Sequence, residues 1–167
     1  ESYPHLLHVA LARRFPHAVI NVIVTAIGGE TSVQGAGRFA ADVLPHRPDV
    51  ITIDYALNDR GDGLEAARRA WTAMIMQAQV AKIPVLLLTP TPDQAASLSD
   101  PTNSLVQHAA QVRALAAEHG VGLVDSFAVF RRRVERGTKL ATLMSSGNHP
   151  NLAGHKLVAA ELMKWFR

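Results

Sequence analysis

The chain has 167 residues, which is the length of one domain and enough to bury a substantial core. Hydrophobic residues make up 48% and charged residues 19%, as in globular proteins, and no apolar run approaches the ~20 residues of a membrane span. The net charge is only +3, aromatic residues are few and cysteine is absent, which disfavours nucleic-acid binding and excludes disulfides, thiol nucleophiles and zinc–thiolate sites.

Four short apolar runs are typical of β-strands. Their residues are almost all apolar rather than alternating with polar ones, as expected of strands that are covered on both faces. The runs are Val19–Ala26, Asp49–Ala56, Pro84–Thr89 and Val121–Asp125.

Helical patterns separate these runs. The chain opens inside one of them, at Glu1, so we expect the first part of the fold to precede that residue. Asp100 and Pro101 are interpreted as the cap and first residue of a later helix. The expected buried stripes are Ala67, Trp71, Met74, Ile75 and Ala78; Leu105, Ala109, Val112 and Ala116; and Val158, Leu162, Trp165 and Phe166.

Alternation of strands and helices predicts an α/β domain in which a parallel sheet carries helices on both faces. Ligands of such sheets bind outside the carboxyl ends of the strands. The loops that follow the strands are therefore the places to search for chemistry.

The loop Ile27–Ser32 follows the first apolar run and contains a glycine pair. Glycine permits a sharp turn and leaves the N–H of Gly29 unshielded by a side chain. The loop is neither a dinucleotide fingerprint nor a phosphate loop. The simpler interpretation is a strand-to-helix turn in which Thr31 or Ser32 caps the helix.

The second loop, Tyr55–Gly63, places Asn58 and Asp59 at the carboxyl end of a predicted strand. The amide of Asn58 could point into a crevice there. Alternatively, Asn58 and Asp59 only form a turn with the glycines that follow them.

A third candidate lies in "SSGNHPNLAGHK", Ser145–Lys156, where His149 precedes the last helix and Asn151 is a plausible cap. His149 could be a proton-transferring base or a surface residue at a helix start. A metal site with His155 is disfavoured, because a spacing of six does not place both rings on one helix face and no carboxylate completes the ligand set.

Together the three elements indicate acyl transfer. A backbone N–H at Gly29 and an amide at Asn58 suit a developing oxyanion, and the imidazole of His149 suits a serine nucleophile.

These residues resemble the SGNH (GDSL-type) hydrolases. The stretch "INVIVTAIGGETSVQGAGRFAADVLPHRPDVITIDYALND" is similar to the second and third sequence blocks of that family, and "SSGNHPNLAGHKLVA" to its fifth. The resemblance implies a single flavodoxin-like, three-layer α/β/α domain over residues 1–167. It also implies that Gly29 and Asn58 form the oxyanion hole, that His149 is catalytic, and that carboxylic esters are hydrolysed without a cofactor. The family's substrates include acylated sugars, acyl glycerides and acyl thioesters.

The sequence departs from the family at two positions. No Gly-Asp-Ser-Leu block is present, so we expect the nucleophilic serine and a first strand upstream of Glu1. Ser146 stands where the family has an aspartate that orients the histidine. Ser146 could hold the ring weakly, a backbone carbonyl could replace it, and Asp125 is a remote alternative with a more plausible structural role.

Two hypotheses follow: an esterase, or a non-catalytic domain of the same fold that binds acyl or carbohydrate groups. The proline-rich loop Thr89–Asn103 either borders the crevice or is a surface excursion.

Overall fold

A computed structural model of the chain describes residues 1–166 and contains six α-helices and five β-strands among them. The helices are α1 (Tyr3–Arg14), α2 (Ser32–Asp42), α3 (Gly63–Val80), α4 (Ser104–His119), α5 (Ser126–Glu135) and α6 (Leu152–Met163). The strands are β1 (Ile51–Ile53), β2 (Val85–Leu88), β3 (Gly122–Val124), β4 (Met144–Ser146) and β5 (His149–Pro150).

The chain forms two compact units. The sheet unit comprises Thr25–Pro90 and Ala96–Val124, and therefore β1 to β3 with α2 to α4. The hairpin unit comprises Glu1–Val24, Thr91–Ala95 and the described residues from Asp125 onward.

The sheet unit contains three parallel strands in the order β1-β2-β3. Ile51 of β1 pairs with Val85 of β2, and Leu86 of β2 pairs with Gly122 of β3. All four residues of the central strand β2 are buried, which accounts for its uninterrupted apolar sequence. Three of the four predicted strands, and the predicted α/β class with a parallel sheet, are confirmed.

The strand predicted over Val19–Ala26 is wrong: these residues join no sheet in the part of the chain that the structure describes. Val19 is 93% exposed. A strand exists only when a neighbour supplies the other half of its hydrogen-bond ladder. The apolar residues of this segment suit a sheet, but they do not determine whether another strand lies beside it to pair with.

The core of the sheet unit lies where α2, α3 and α4 pack with the strands. All members of the two stripes predicted for α3 and α4 are buried. The largest fully buried side chain is that of Trp71, which belongs to a cluster with Phe39 of α2, Ile53 of β1 and Leu115 of α4. The helical spacing of apolar residues therefore predicted this core correctly.

The predicted start of α4 at Asp100 and Pro101 is wrong. The carboxylate of Asp100 instead accepts hydrogen bonds from the N–H and hydroxyl of Thr102, which closes a local turn. The helix begins at Ser104, and Asn103 caps it by accepting from the N–H of Leu105. Two adjacent cap-like sequences compete here, and the one nearer the apolar stripe caps the helix.

In the hairpin unit, α6 packs against α1 and α5. Val158 and Leu162 are buried as predicted. Trp165 is 50% exposed, which contradicts its predicted place in the same stripe. Because α6 ends at Met163, helical spacing no longer dictates the direction of the residues beyond it.

Two glycines of α2 provide a test of the packing in the sheet unit. A Cβ on Gly35 would lie 2.4 Å from the Cζ and Oη atoms of Tyr55, whereas a Cβ on Gly37 would meet no atom within 4 Å. We expect Gly37→Ala to stabilise the protein by about 0.5–1 kcal/mol through higher helix propensity. Gly35→Ala should instead destabilise it by about 1–3 kcal/mol through overpacking. Urea unfolding of both variants measures the difference, and an equal gain in both would contradict the contact with Tyr55.

Candidate active site

Gly29 lies in a tight turn between Ile27 and Glu30. The N–H of Glu30 donates to the carbonyl of Ile27 at 3.2 Å, and Gly29 has a φ of 79°, in the left-handed region that favours glycine. Gly29 is exposed, and a Cβ added to it would meet no atom within 4 Å. Its N–H donates to no acceptor among the described residues. The backbone at Gly29 can therefore be approached closely by a ligand.

Asn58 follows β1, at the start of a 3₁₀ turn over Asn58–Arg60. Its side-chain Nδ2 donates to the carbonyl oxygen of Glu30 at 2.9 Å, and its backbone N–H donates to the carbonyl of Tyr55 at 2.9 Å. A side-chain amide carries two N–H groups, so one remains after the bond to Glu30. The structure thus brings together the loops that carry Gly29 and Asn58.

Asp59 ties these two loops to the core. Its carboxylate is fully buried: Oδ1 accepts from the N–H of Ser32 at 2.7 Å, and Oδ2 accepts from the indole Nε1 of Trp71 at 2.7 Å. Ser32 is the first residue of α2, where a negative charge is favoured by the helix dipole. The sequence suggested only a turn role for Asp59, because neither bond follows a local pattern.

Glu30 is a second buried acid of this region. Arg38 binds its carboxylate through two hydrogen bonds, Nε to Oε1 at 2.7 Å and Nη2 to Oε2 at 2.5 Å. The hydroxyl of Tyr55 donates to the same carboxylate at 3.3 Å. The Arg38 hydrogen bonds hold the pKa of Glu30 below its usual value, although burial acts in the opposite direction. Sequence reasoning missed both members of this ion pair.

His108 of α4 is a buried titratable group of the sheet unit that sequence reasoning also missed. Burial lowers its pKa, the charge of Asp59 raises it, and that of Arg60 lowers it. The net direction is downward, so the neutral imidazole is favoured in the folded protein.

His149 belongs to the hairpin unit and is exposed on β5. It pairs with Ser146 of the antiparallel strand β4, and the Oγ of Ser146 lies 3.3 Å from its Nδ1 atom. The hydroxyl of Ser145 donates to the carbonyl of His149 at 3.1 Å. Ser146 is thus a neutral hydrogen-bonding neighbour of the ring, as one of the sequence-based alternatives expects.

The predicted cap of the following helix is confirmed. The Oδ1 of Asn151 accepts from the N–H groups of Ala153 and Gly154, and its Nδ2 donates to the carbonyl of Thr142 at 2.9 Å. Asn151 therefore fixes the start of α6 and holds the 3₁₀ turn over Leu140–Leu143 that leads into β4.

Asp125 and His155 make local contacts in the hairpin unit. Asp125 caps α5 by accepting from the N–H of Ala128 at 3.1 Å. Burial lowers the pKa of His155, whose ring lies 6.1 Å from that of Tyr3. Within residues 1–166, no cluster of three or more His, Cys, Asp or Glu side chains is arranged to hold a metal ion.

Part of the loop Thr89–Asn103 lies beside the hairpin that carries His149. The N–H of Gln94 donates to the carbonyl of Gly147, in the turn between β4 and β5, at 2.8 Å. The structure therefore unites Gly29 with Asn58 in one unit, and His149 with Ser146 and Gln94 in the other. That His149 acts together with Gly29 and Asn58 stays a prediction.

Replacement of Asp59 tests its anchoring role. Asp59→Ala leaves the N–H of Ser32 and the indole N–H of Trp71 without their acceptor, which should cost about 1–3 kcal/mol of unfolding free energy for each donor. Asp59→Asn keeps one acceptor and should cost less. Urea unfolding provides the measurement, with Asp62→Ala as a control, because Asp62 is exposed and its side chain does not cap α3. A similar loss in Asp59→Ala and Asp62→Ala would refute the anchor.

Comparison with known proteins identifies the fold and the family. Residues 1–157 match the GDSL-like Lipase/Acylhydrolase family. An acetylxylan esterase from Geobacillus stearothermophilus superposes with a TM-score of 0.88 at 22% identity, over 98% of this chain and 80% of that one. An alpha/beta hydrolase from the metagenome of Lake Arreo, Spain, superposes with a TM-score of 0.86 at 24% identity, over the same shares of the two chains. No curated protein matches the sequence.

The match to the family covers nearly the whole chain, and the α/β fold with its parallel sheet agrees with the two hydrolase structures. None of the helices described is both long and apolar enough to cross a bilayer.

Because the family match spans residues 1–157, the chain belongs to the GDSL-like lipase/acylhydrolase family, whose members are hydrolases that act on ester bonds.

Proposed function

We propose that this protein hydrolyses small carboxylic esters by a serine-dependent mechanism in which Gly29 and Asn58 form the oxyanion hole and His149 is the general base. The observation that carries the proposal is the bond from the Nδ2 of Asn58 to the carbonyl of Glu30, at 2.9 Å, beside the turn that exposes Gly29. It holds an amide donor and a backbone donor on adjoining loops.

The two donors suit the charge that develops during acyl transfer. Attack on an ester carbonyl turns its oxygen into an oxyanion, and each donor aimed at that oxygen can contribute about 3–4 kcal/mol to the transition state. Because Gly29 has no side chain, an ester oxygen can reach its N–H without a steric barrier. The amide of Asn58 supplies the second bond through its remaining N–H.

The contact with Ser146 suits His149 to proton transfer. If Nδ1 carries the proton and donates to the Oγ of Ser146, Nε2 is left as the base. It takes the proton of the attacking serine, and the resulting imidazolium then protonates the leaving alcohol. Water attacks the acyl-enzyme through the same base, which releases the acid and restores the serine.

We do not assign the nucleophile to Ser145, Ser146 or Ser32. Ser145 and Ser146 are poor candidates, since their hydroxyls contact the carbonyl of His149 and its Nδ1 atom. Ser32 is fully buried at the start of α2.

We further propose that the substrates are O-acetylated carbohydrates. The support is structural likeness to an enzyme that is named as an acetylxylan esterase. Alanine variants of that enzyme at a serine, an aspartate and a histidine are described as catalytic mutants, and its aspartate precedes the histidine by three residues. Ser146 stands three residues before His149 in this chain.

The alternative is a domain that binds acyl or carbohydrate groups without turnover. The neutral Ser146 favours it, because a serine cannot stabilise an imidazolium by charge. A fluorophosphonate probe separates the two functions: the esterase hypothesis expects one labelled serine in the full-length protein, and absence of labelling favours the binding domain.

The proposed mechanism is tested by hydrolysis of p-nitrophenyl acetate and of acetylated xylooligosaccharides by the full-length protein. Asn58→Ala should lower kcat by about 100-fold or more, because it removes an oxyanion donor. His149→Ala should lower the rate at least as strongly. His17→Ala, which removes another exposed histidine, serves as the control. An unchanged rate in Asn58→Ala or in His149→Ala removes that residue from the mechanism.

Restoring the acid tests the role of Ser146. We expect Ser146→Asp to raise kcat by roughly 10-fold or more, since loss of the aspartate carboxylate from a Ser-His-Asp triad lowers kcat by up to about 10⁴. Steady-state hydrolysis of p-nitrophenyl acetate measures the change. Ser146→Asn is the matched control, because it has a similar size without the charge. Equal rates in the two variants would show that charge at this position does not assist His149.

A further inference from the structure

We propose that Glu30, Arg38 and Tyr55 form a brace that positions both donors of the oxyanion hole, so that Arg38 and Glu30 are positioning residues for ester hydrolysis. The inference rests on the proposed function and extends it to residues that do not touch the substrate. We refer to these three residues as the Glu30 brace.

Glu30 is attached to its surroundings at three points. Its N–H closes the turn that contains Gly29 by donating to Ile27, and its carbonyl accepts from the side chain of Asn58. Its carboxylate accepts two hydrogen bonds from Arg38. Movement of Glu30 would therefore displace the Gly29 turn and the amide of Asn58 together.

The ion pair with Arg38 is suited to hold Glu30 in place. A guanidinium that binds a carboxylate through two parallel bonds fixes direction as well as distance. The Nη1 of Arg38 also lies 3.3 Å from the carboxylate of Asp42, one turn further along α2, which restrains the guanidinium. The brace thus connects the turn to a regular helix.

Burial separates this pair from the other ion pairs of the sheet unit. The side chains of Glu30 and Arg38 are 7% and 18% exposed. Arg68 and Glu118 also form an ion pair, but their side chains are 45% and 49% exposed. Exposed pairs are weakened by solvent and salt, and contribute little. The Arg68–Glu118 pair is therefore a matched control in the same unit.

Tyr55 connects the brace to the backbone of Asn58. Its hydroxyl donates to Glu30, and its carbonyl accepts from the N–H of Asn58 at 2.9 Å. The ring can occupy this place because Gly35 has no side chain that would collide with it. Both the side chain and the main chain of Asn58 are thereby held by residues of the brace.

Such a brace should affect kcat more than substrate binding. Misplacement of a catalytic group by ~1 Å can cost about 100-fold in rate. Donors that act on the transition state alone lower kcat when they are displaced and leave KM nearly unchanged. If the three residues only stabilised the fold, their replacement would lower the free energy of unfolding without a selective fall in kcat.

The experiment compares Arg38→Met, Glu30→Gln and Arg38→Lys with Arg68→Met in the full-length protein. For hydrolysis of p-nitrophenyl acetate we expect Arg38→Met and Glu30→Gln to lower kcat by roughly 10-fold, with KM within about twofold. Arg38→Lys keeps the charge but loses the paired hydrogen bonds, so its kcat should be intermediate. Arg68→Met should match the wild type.

Hydrogen exchange provides a readout that does not require activity. The N–H of Glu30 is protected by its bond to Ile27, so peptides that contain Glu30 report opening of the turn. Under native conditions, we expect these peptides to exchange faster in Arg38→Met than in the wild type or Arg68→Met. Peptides from the buried central strand β2 report global unfolding and should exchange equally in all three proteins.

The outcomes separate the brace from the proposed function. Faster exchange at Glu30 together with the fall in kcat supports the brace. Unchanged exchange and kcat in Arg38→Met, or changes equal to those in Arg68→Met, overturn it. If Asn58→Ala retains full kcat, the oxyanion assignment fails, and exchange at Glu30 alone then decides whether the brace holds the turn.

Discussion

The candidate oxyanion loops depend on one buried carboxylate, that of Asp59. Its two oxygens accept from the first N–H of α2 and from the indole of Trp71, so one side chain joins the strand-end turn, a helix terminus and the core. Removing a carboxylate from water is costly unless hydrogen bonds and favourable dipoles replace the water. Burial of the Asp59 carboxylate therefore requires both donors, the N–H of Ser32 and the indole N–H of Trp71. Because Ser32 is the first residue of α2, its bond to Asp59 also sets the position of α2 beside the turn that carries Asn58.

Two acids in this region have different tasks. Asp59 anchors the turn to the interior, whereas Glu30 holds the more exposed end of the loop through Arg38. The backbone of Glu30, not its carboxylate, contacts the amide of Asn58. The donors of the candidate oxyanion hole can thus be held in place by side chains that do no chemistry, because such donors are only as well directed as the backbone that bears them.

In the hairpin unit, the hydrogen-bonding neighbours of His149 differ in charge from those in the loops of the sheet unit. Here the supports are neutral: Ser145 and Asn151 bind backbone carbonyls, and Ser146 lies beside the ring. A neutral partner can select a tautomer, but it gives no electrostatic stabilisation to the imidazolium. An aspartate at this position would both orient the ring and stabilise a positive charge on it, whereas Ser146 can only orient it.

The sequence by itself determined the elements whose signals are local. Apolar runs predicted three parallel strands, and helical spacing predicted the stripe around Trp71. The family resemblance pointed to Gly29, Asn58 and His149, whose roles stay predictions. Tertiary structure alone decided that Val19–Ala26 joins no described sheet, that Asn103 rather than Asp100 caps α4, and that Asp59 and Glu30 hold the loops of Asn58 and Gly29. The bond from Ser32 to Asp59 spans 27 positions and that from Arg38 to Glu30 spans eight, neither of which corresponds to a local period. Such bonds gain strength where packing excludes water, and burial is a property of the fold rather than of neighbouring residues.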